Sequence, residues 1–177
     1  MTIETLRESL PEYAKDIKLN VSSVLSATQG SSLNAKQILA TALASAYATK
    51  NKTLINHLEQ EVEGKLEEVD ITAAKGAATI MGMNNIYYRF LGLVKDDEYQ
   101  KLPANLRMNF LLKPGVDKVD FEIYALAVSA VEGCAGCVKA HVGELEKHGI
   151  SKTTIQHSIR IASVINALNQ VLVIEKK

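Results

Sequence analysis

The chain has 177 residues, 47% of them hydrophobic, and its 20 basic and 20 acidic residues give a formal net charge of zero. This length suffices for a single well-buried domain over residues 1–177. The balanced charge gives no electrostatic reason to expect nucleic acid or an anionic membrane as a partner. Residues 1–10 lack the apolar core of a signal peptide, and no run approaches the roughly 18 apolar residues of a membrane span. We therefore expect a cytoplasmic protein.

The residue pattern predicts an all-α fold. Only 3 prolines and 10 glycines interrupt the chain, and Ala, Leu, Lys and Glu recur with a period of about three to four residues, which is typical of helices. In chain order, the predicted helices start at about Ile3 and then run over 11–27, 34–50, 52–64, 70–90, from Asp117 or Asp120 to Glu132, and over 134–147 and 151–174.

Short polar residues mark the predicted helix ends. Asn34 followed by Gln37 is a capping pair, and Asp70 and Ser151 are typical N-caps. Gly149 is the expected C-cap of the helix that begins at residue 134.

Two parts of the chain echo each other. The halves, about 33–91 and 117–174, each have the order helix, short helix, long helix, and the proline-containing segment 92–118 is the expected non-helical connector. His57 aligns with a histidine of the second half, but no cysteine lies near it. If the halves arose by duplication, only the second kept the redox motif, and His57 is a relic or a core residue.

The two cysteines lie three residues apart, at Cys134 and Cys137, and His141 follows one helical turn later. On a helix these positions share one face. Side chains three apart in a regular helix have Cβ atoms ~5–6 Å apart, whereas a disulfide needs ~3.5–4.5 Å. The pair therefore closes easily only where one cysteine lies at the start of the helix, and Gly133 permits such a start.

Cys137 has two features that favour a thiolate. It falls in the first helical turn, where unpaired N–H groups and the helix dipole favour negative charge, and His141 offers a nearby base. In such settings the pKa of a cysteine falls from ~8.5 to about 3.5–7.5. In a reducing cytosol, a single close pair is more often catalytic or metal-binding than structural. The pattern thus indicates a redox-active dithiol.

Three other interpretations of the pair remain open. A structural disulfide is one, although so short a loop restrains the unfolded chain little. A zinc site is another, with a fourth ligand from Glu122, Glu144 or a further histidine. The third is a pair of buried, unreactive thiols. His148 and His157 are expected at the surface or in packing.

Glu122 lies in the segment 119–131, which is apolar almost all round and therefore expected to be buried. A carboxylate in such surroundings must be paired or protonated. Either it favours the N-terminus of its own helix, or its helix packs antiparallel to the cysteine helix and points the carboxylate at His141. Glu144, three residues beyond His141, competes for the same role.

Together, Glu122, Cys134-x-x-Cys137 and His141 at these spacings resemble the signature of the AhpD alkyl hydroperoxidases, in the carboxymuconolactone decarboxylase-like superfamily. The resemblance extends over essentially the whole chain. It implies an all-helical fold with an internal repeat, a homotrimer, and a dithiol that reduces small hydroperoxides and an AhpC-type peroxiredoxin. The electrons would come from the dihydrolipoamide of a dihydrolipoyl acyltransferase. No G-x-G-x-x-G or P-loop string is present, so no bound nucleotide cofactor is expected.

By the same resemblance, Cys137 is the attacking thiol that passes through a sulfenic acid, Cys134 the proton donor and resolving thiol, His141 the base and Glu122 its relay partner. One position departs from the family, whose members can carry a histidine where this chain has Gly136. The departure bears on the strength of the peroxidase activity and on the reductant. A redox sensor or thiol relay without peroxidase turnover is the alternative, whereas lactone decarboxylation has no use for two thiols.

Overall fold

The computed structural model describes residues 2–176, and the part of the chain that it describes contains helices and no strand. The prediction of an all-α fold is therefore confirmed. The helices are α1 (Ile3–Glu8), α2 (Lys15–Val24), α3 (Ala35–Thr49), α4 (Lys52–Val62), α5 (Glu68–Val94), α6 (Asp97–Lys101), α7 (Lys118–Val131), α8 (Ala135–Lys147) and α9 (Lys152–Ile174), with 3₁₀ turns at Glu12–Ala14 and Asn109–Leu112.

Several predicted helix ends are confirmed by hydrogen bonds. Asn34 and Gln37 form a reciprocal capping box at the start of α3. Asp117, the first of the two candidates, caps α7 by accepting the Val119 N–H at 2.8 Å. The Ser151 hydroxyl accepts the N–H of the residue three positions later and caps α9. Gly149 follows α8 with φ 75°, the left-handed conformation that favours glycine at this position.

Three predicted boundaries are wrong. Asp70 does not cap α5, because the helix starts earlier: Glu67 is its N-cap, and the Asp70 carboxylate reaches back to accept the Glu67 N–H at 3.2 Å. The helix predicted over 11–27 begins with a 3₁₀ turn and ends at Val24. The connector over 92–118 is partly helical, since it holds the end of α5, all of α6 and the second 3₁₀ turn.

Helix α7 occupies the centre of the fold and contacts α3, α5, α8 and α9. Every residue from Ile123 to Ser129 is at most 1% exposed, which confirms that this segment is buried all round. Helix α8, which carries the cysteine pair, packs on α7 and α5. The candidate site therefore lies between the central helix and the long helix α5.

Although the chain has no unbroken apolar run as long as a membrane span, helix α9 is long enough and, on average, apolar enough to cross a membrane by length and composition. Half of its most apolar window is buried inside the protein, where it packs against α2, α3 and α7. This burial is typical of a core helix.

An ionic cluster of one exposed lysine and two buried carboxylates joins the starts of three helices. Lys36 of α3 places its Nζ 3.2 Å from Oδ1 of Asp70 on α5 and 3.6 Å from Oδ2 of Asp120 on α7. Gln37 also donates to Asp120, at 2.6 Å. The hydrogen bond with Asp70 is the main reason that the pKa of Lys36 is raised. The cluster ties both proposed halves together, while the duplication itself stays a prediction.

Candidate active site

A tight turn connects α7 to α8 and sets the position of the first cysteine. Gly133 adopts φ 70°, its N–H donates to the Ala130 carbonyl at 3.2 Å, and the Cys134 N–H donates to the Ser129 carbonyl at 3.1 Å. This pair of bonds is the Schellman pattern, which ends a helix at a left-handed glycine. Cys134 is thus the second residue after the α7 C-cap and, at the same time, the N-cap of α8.

Cys134 and Cys137 are joined in a disulfide, with their Cα atoms 5.3 Å apart. The expectation that one cysteine lies at the helix start is confirmed, since Cys134 is the N-cap. Its Sγ accepts the backbone N–H of Cys137 at 3.3 Å. The N–H at the start of α8 therefore stabilises the sulfur of Cys134. The sequence pattern had instead predicted that the helix start favours a thiolate at Cys137.

The two sulfurs differ in access. Cys134 is fully buried, whereas Cys137 is 7% exposed and lines a cavity of about 370 Å³. Helices α5 and α8 and the region of the second 3₁₀ turn supply the cavity wall, through Met81, Asn84, Tyr88, Met108, Leu111, Gly136, Cys137, Ala140 and His141. A molecule in this cavity meets Cys137 and His141 in mainly apolar surroundings.

His141 and Glu122 are in direct contact across the α7–α8 interface. The Nδ1 atom of His141 lies 2.7 Å from Oε2 of Glu122, and both side chains are largely buried, at 15% and 18% exposure. The Nε2 atom lies 3.3 Å from the Met81 sulfur. With Nδ1–H donated to the carboxylate, Nε2 is the ring nitrogen that can accept a proton.

Glu144, the competing carboxylate, has other partners. It binds the Nζ atoms of Lys118 and, at 3.3 Å, Lys147. The hydrogen bond from Lys118 is the main reason that the pKa of Glu144 is lowered. The carboxylate in contact with His141 is therefore that of Glu122.

The other histidines lie away from the disulfide. His57 is buried on α4, and His148 is exposed at the end of α8. His157 is fully buried on α9, where its ring contacts the Ser31 hydroxyl and the Val24 carbonyl, each at 2.9 Å. These surface and packing positions agree with the sequence expectation. Within residues 2–176, no group of three or more His, Cys, Asp or Glu side chains is arranged to hold a metal ion.

Sequence reasoning missed the wall that α5 contributes. Met81, Asn84 and Tyr88 lie about 50 residues before the cysteines, at spacings of three and four that put them on one helix face. The available signal was a polar Asn84 on an otherwise apolar stripe. That signal does not reveal which helix the stripe faces.

A glycine on α5 sets the position of the opposite wall. A Cβ on Gly76 would lie 2.0 Å from Cε1 of Phe110, so the ring packs directly on the helix backbone. Phe110 belongs to the 3₁₀ turn that carries Leu111, and its ring also packs on Phe121 with centroids 5.9 Å apart. The close approach of turn and helix thus holds Leu111 at the cavity.

The comparisons with known proteins identify the family of this chain. The model of the carboxymuconolactone decarboxylase family matches residues 97–173. A protein from Coxiella burnetii (strain RSA 493 / Nine Mile phase I), named alkyl hydroperoxide reductase AhpD, is 56% identical over 175 residues, 99% of either chain. A relative of the same name from Maricaulis maris is 49% identical over 99% of both chains. Another, from Frankia alni, is 49% identical over 95% of this chain and 89% of its own. The chain belongs to the AhpD alkyl hydroperoxide reductases of the carboxymuconolactone decarboxylase family.

Proposed function

We propose that this chain is a dithiol-dependent alkyl hydroperoxide reductase in which Cys137 attacks the hydroperoxide and Cys134 resolves the product. The observation that carries the proposal is the contact of Cys137 with an apolar cavity that His141, paired with Glu122, also lines. An apolar cavity suits the alkyl part of the substrate, and the paired imidazole suits proton transfer at the reacting end.

In the oxidative half-reaction, His141 takes the Cys137 proton and the thiolate attacks the terminal oxygen of the hydroperoxide. The S–O bond forms, the O–O bond breaks, and the imidazolium returns its proton to the leaving alkoxide. The products are an alcohol and a sulfenic acid on Cys137. Cys134 then attacks this sulfur, water leaves, and the disulfide forms again.

In the reductive half-reaction, an external thiolate attacks Cys137, because Cys134 is fully buried. The S–S bond breaks and Cys134 leaves as a thiolate, which the Cys137 N–H at the start of α8 stabilises. A second thiol of the same donor then displaces Cys137. Dihydrolipoamide is the donor we propose, since its two thiols end a slender apolar chain, and a dihydrolipoyl acyltransferase would present it.

Glu122 is proposed to hold the ring of His141 and to stabilise the imidazolium that forms during proton transfer. Its carboxylate accepts the Nδ1–H, which keeps Nε2 as the proton acceptor. The same dithiol is proposed to reduce an AhpC-type peroxiredoxin by thiol–disulfide exchange.

A homotrimer in the cytoplasm is the proposed setting. Large apolar side chains are exposed over the second half of α5 and the connector that follows, among them Leu93 at 75%, Leu102 at 60% and Leu112 at 80%. Exposed apolar surface of this kind is typical of interaction sites. Light scattering on the purified protein measures the assembly directly, and a monomer at micromolar concentration would refute the trimer.

The central experiment is a thiol count. The reduced protein should show two free thiols per chain, lose both on addition of one equivalent of tert-butyl hydroperoxide, and regain both with dihydrolipoamide. Serial additions test turnover. Oxidation without repeated turnover would instead favour a redox sensor or thiol relay, the alternative that Gly136 in place of a family histidine supports.

A further inference from the structure

Asn84 is a buried polar side chain on the cavity wall with an unused acceptor. The residue is 5% exposed, and it lines the same cavity as Cys137 and His141. Its Oδ1 atom is buried and has no hydrogen-bond partner among the described residues. Buried acceptors in native proteins nearly always have a partner, so this atom requires an explanation.

The neighbouring asparagine provides a comparison on the same helix. Asn85 is fully buried, and its Oδ1 accepts a hydrogen bond from the Ser129 hydroxyl at 3.0 Å. Packing of α5 on α7 therefore supplies a partner to the carbonyl that faces the core. The side chain of Asn84 lines the cavity, and its buried carbonyl receives no hydrogen bond from the described residues.

Few other polar groups line the cavity. Met81, Met108, Leu111 and Ala140 are apolar, Tyr88 is 39% exposed, and the imidazole of His141 is held by Glu122. A ligand with an apolar body and one O–H donor matches such a wall, since the donor finds an acceptor and the body displaces water. An alkyl hydroperoxide has this composition.

We propose that Asn84 Oδ1 accepts a hydrogen bond from the terminal O–H of the bound hydroperoxide and thereby orients that oxygen for attack by Cys137. The inference rests on the proposed function and adds a substrate-binding residue to it. The proton of the terminal O–H is not transferred: it stays on the oxygen that becomes the sulfenic acid while the O–O bond breaks and His141 protonates the alkoxide. Asn84 therefore keeps its hydrogen bond from substrate to sulfenic acid.

The test compares two reagents that both react with Cys137 in the reduced full-length protein. Tert-butyl hydroperoxide has the terminal O–H, whereas methyl methanethiosulfonate has none and reports only the reactivity of the thiol. Rapid mixing gives the second-order rate constant for each reagent. In a Cys134→Ser background, where the adduct is not resolved to a disulfide, peptide mass spectrometry identifies Cys137 as the modified residue. In Asn84→Leu, the hydroperoxide rate constant should fall about tenfold, the equivalent of one hydrogen bond, and the thiosulfonate rate constant should stay within about twofold.

Asn84→Ala is the second variant, since its smaller side chain fits the helix if leucine prevents folding, and the same separation of the two rates is expected. Asn20→Leu is the matched control, because Asn20 is exposed on α2, which packs mainly on α9. Both of its rate constants should equal those of the wild type.

Two results would overturn the assignment of Asn84 alone: an unchanged hydroperoxide rate constant in both variants, or an equal fall for both reagents, which would mean that Asn84 acts on the thiol. If wild-type protein reacts with the thiosulfonate but not with the hydroperoxide, the proposed function fails as well. The two failures are thus distinguishable.

Discussion

The Nδ1 atom of His141 lies 2.7 Å from Oε2 of Glu122, although the two residues belong to different helices. This contact determines which ring nitrogen carries the proton and which can accept one. It also makes the two side chains one unit, whose members should not contribute independently to catalysis.

His141→Phe and Glu122→Phe should therefore each slow the reaction of Cys137 with a hydroperoxide, with a loss of about 10²–10⁴-fold for the base itself. The double variant should lose little more than the worse single variant. Stopped-flow measurement on reduced protein gives the rates. Glu144→Gln is the control and should react at the wild-type rate, because Glu144 pairs with Lys118 and Lys147. Fully multiplicative losses would remove Glu122 from the relay.

The two cysteines should have different phenotypes. Cys137→Ser should abolish turnover with both hydroperoxide and peroxiredoxin, because the cavity then offers no accessible thiol. Cys134→Ser should leave a sulfenic acid or mixed disulfide on Cys137 that a dimedone probe traps. Mass spectrometry identifies the modified residue. A persistent adduct on Cys134 in the Cys137→Ser protein, together with none on Cys137 in the Cys134→Ser protein, would reverse the roles.

Replacing Gly136 by histidine should raise direct peroxide turnover. Gly136 lines the cavity, and a Cβ there meets no atom within 4 Å, so the side chain can be accommodated. An added general acid near the reacting oxygen contributes up to about 10²–10⁴-fold, while transfer to a peroxiredoxin should change little. Gly136→Ala is the control for helix propensity, worth about 0.5–1 kcal/mol. Equal peroxide turnover in the histidine and alanine variants would show that the imidazole has no role.

Gly76→Ala should destabilise the protein and disturb the cavity. The new Cβ would lie 2.0 Å from Phe110, so either the ring or α5 must move. Overpacking of this kind costs about 1–3 kcal/mol, measurable as a lower midpoint in urea. Gly82→Ala on the same helix is the control, since its Cβ meets no atom within 4 Å, and it should be neutral or stabilising by up to about 1 kcal/mol. Equal urea midpoints for the Gly76→Ala and Gly82→Ala proteins would contradict the close packing of Phe110 on α5.

Lys36→Met should destabilise the protein most at neutral pH. It leaves Asp70, which is 2% exposed, and Asp120 without the cation between them, a loss of about 1–3 kcal/mol. Without the cation, two buried carboxylates that shared it remain, and burial and mutual repulsion both disfavour their charged forms. Protonation in acid removes both effects, so the deficit should shrink as the pH falls.

The stability of the wild-type protein should depend on Lys36 in the alkaline range. The pKa of Lys36 is raised above its ordinary value of 10.5, so its stabilising contribution is complete below that pH and is lost as the pH rises through the folded-state value. Urea unfolding at several pH values measures both effects. Lys15→Met, which removes an exposed pair with Glu12, is the control and should change stability by at most about 1 kcal/mol at any pH. A deficit in Lys36→Met that is independent of pH would exclude the carboxylates as its cause.

The sequence by itself determined the features that depend on local geometry. Helical periodicity places Cys134, Cys137 and His141 along one face, and the left-handed Gly133 starts the cysteine helix where a disulfide can close. The capping box of Asn34 and Gln37 is likewise a contact over three residues. Such contacts form wherever the local backbone is helical, so their spacing suffices to predict them.

The tertiary structure decided which distant groups meet. The sequence predicted Glu122 as the partner of His141 and left Glu144 as a competitor. The packing of α7 on α8 brings Glu122 to the ring and Lys118 to Glu144. The cavity wall from α5, with Met81 and Asn84, also depends on how that helix rotates toward α8. Periodicity defines the faces of each helix, but the angle and depth at which helices pack depend on the summed side-chain volumes of the core, which no local pattern contains.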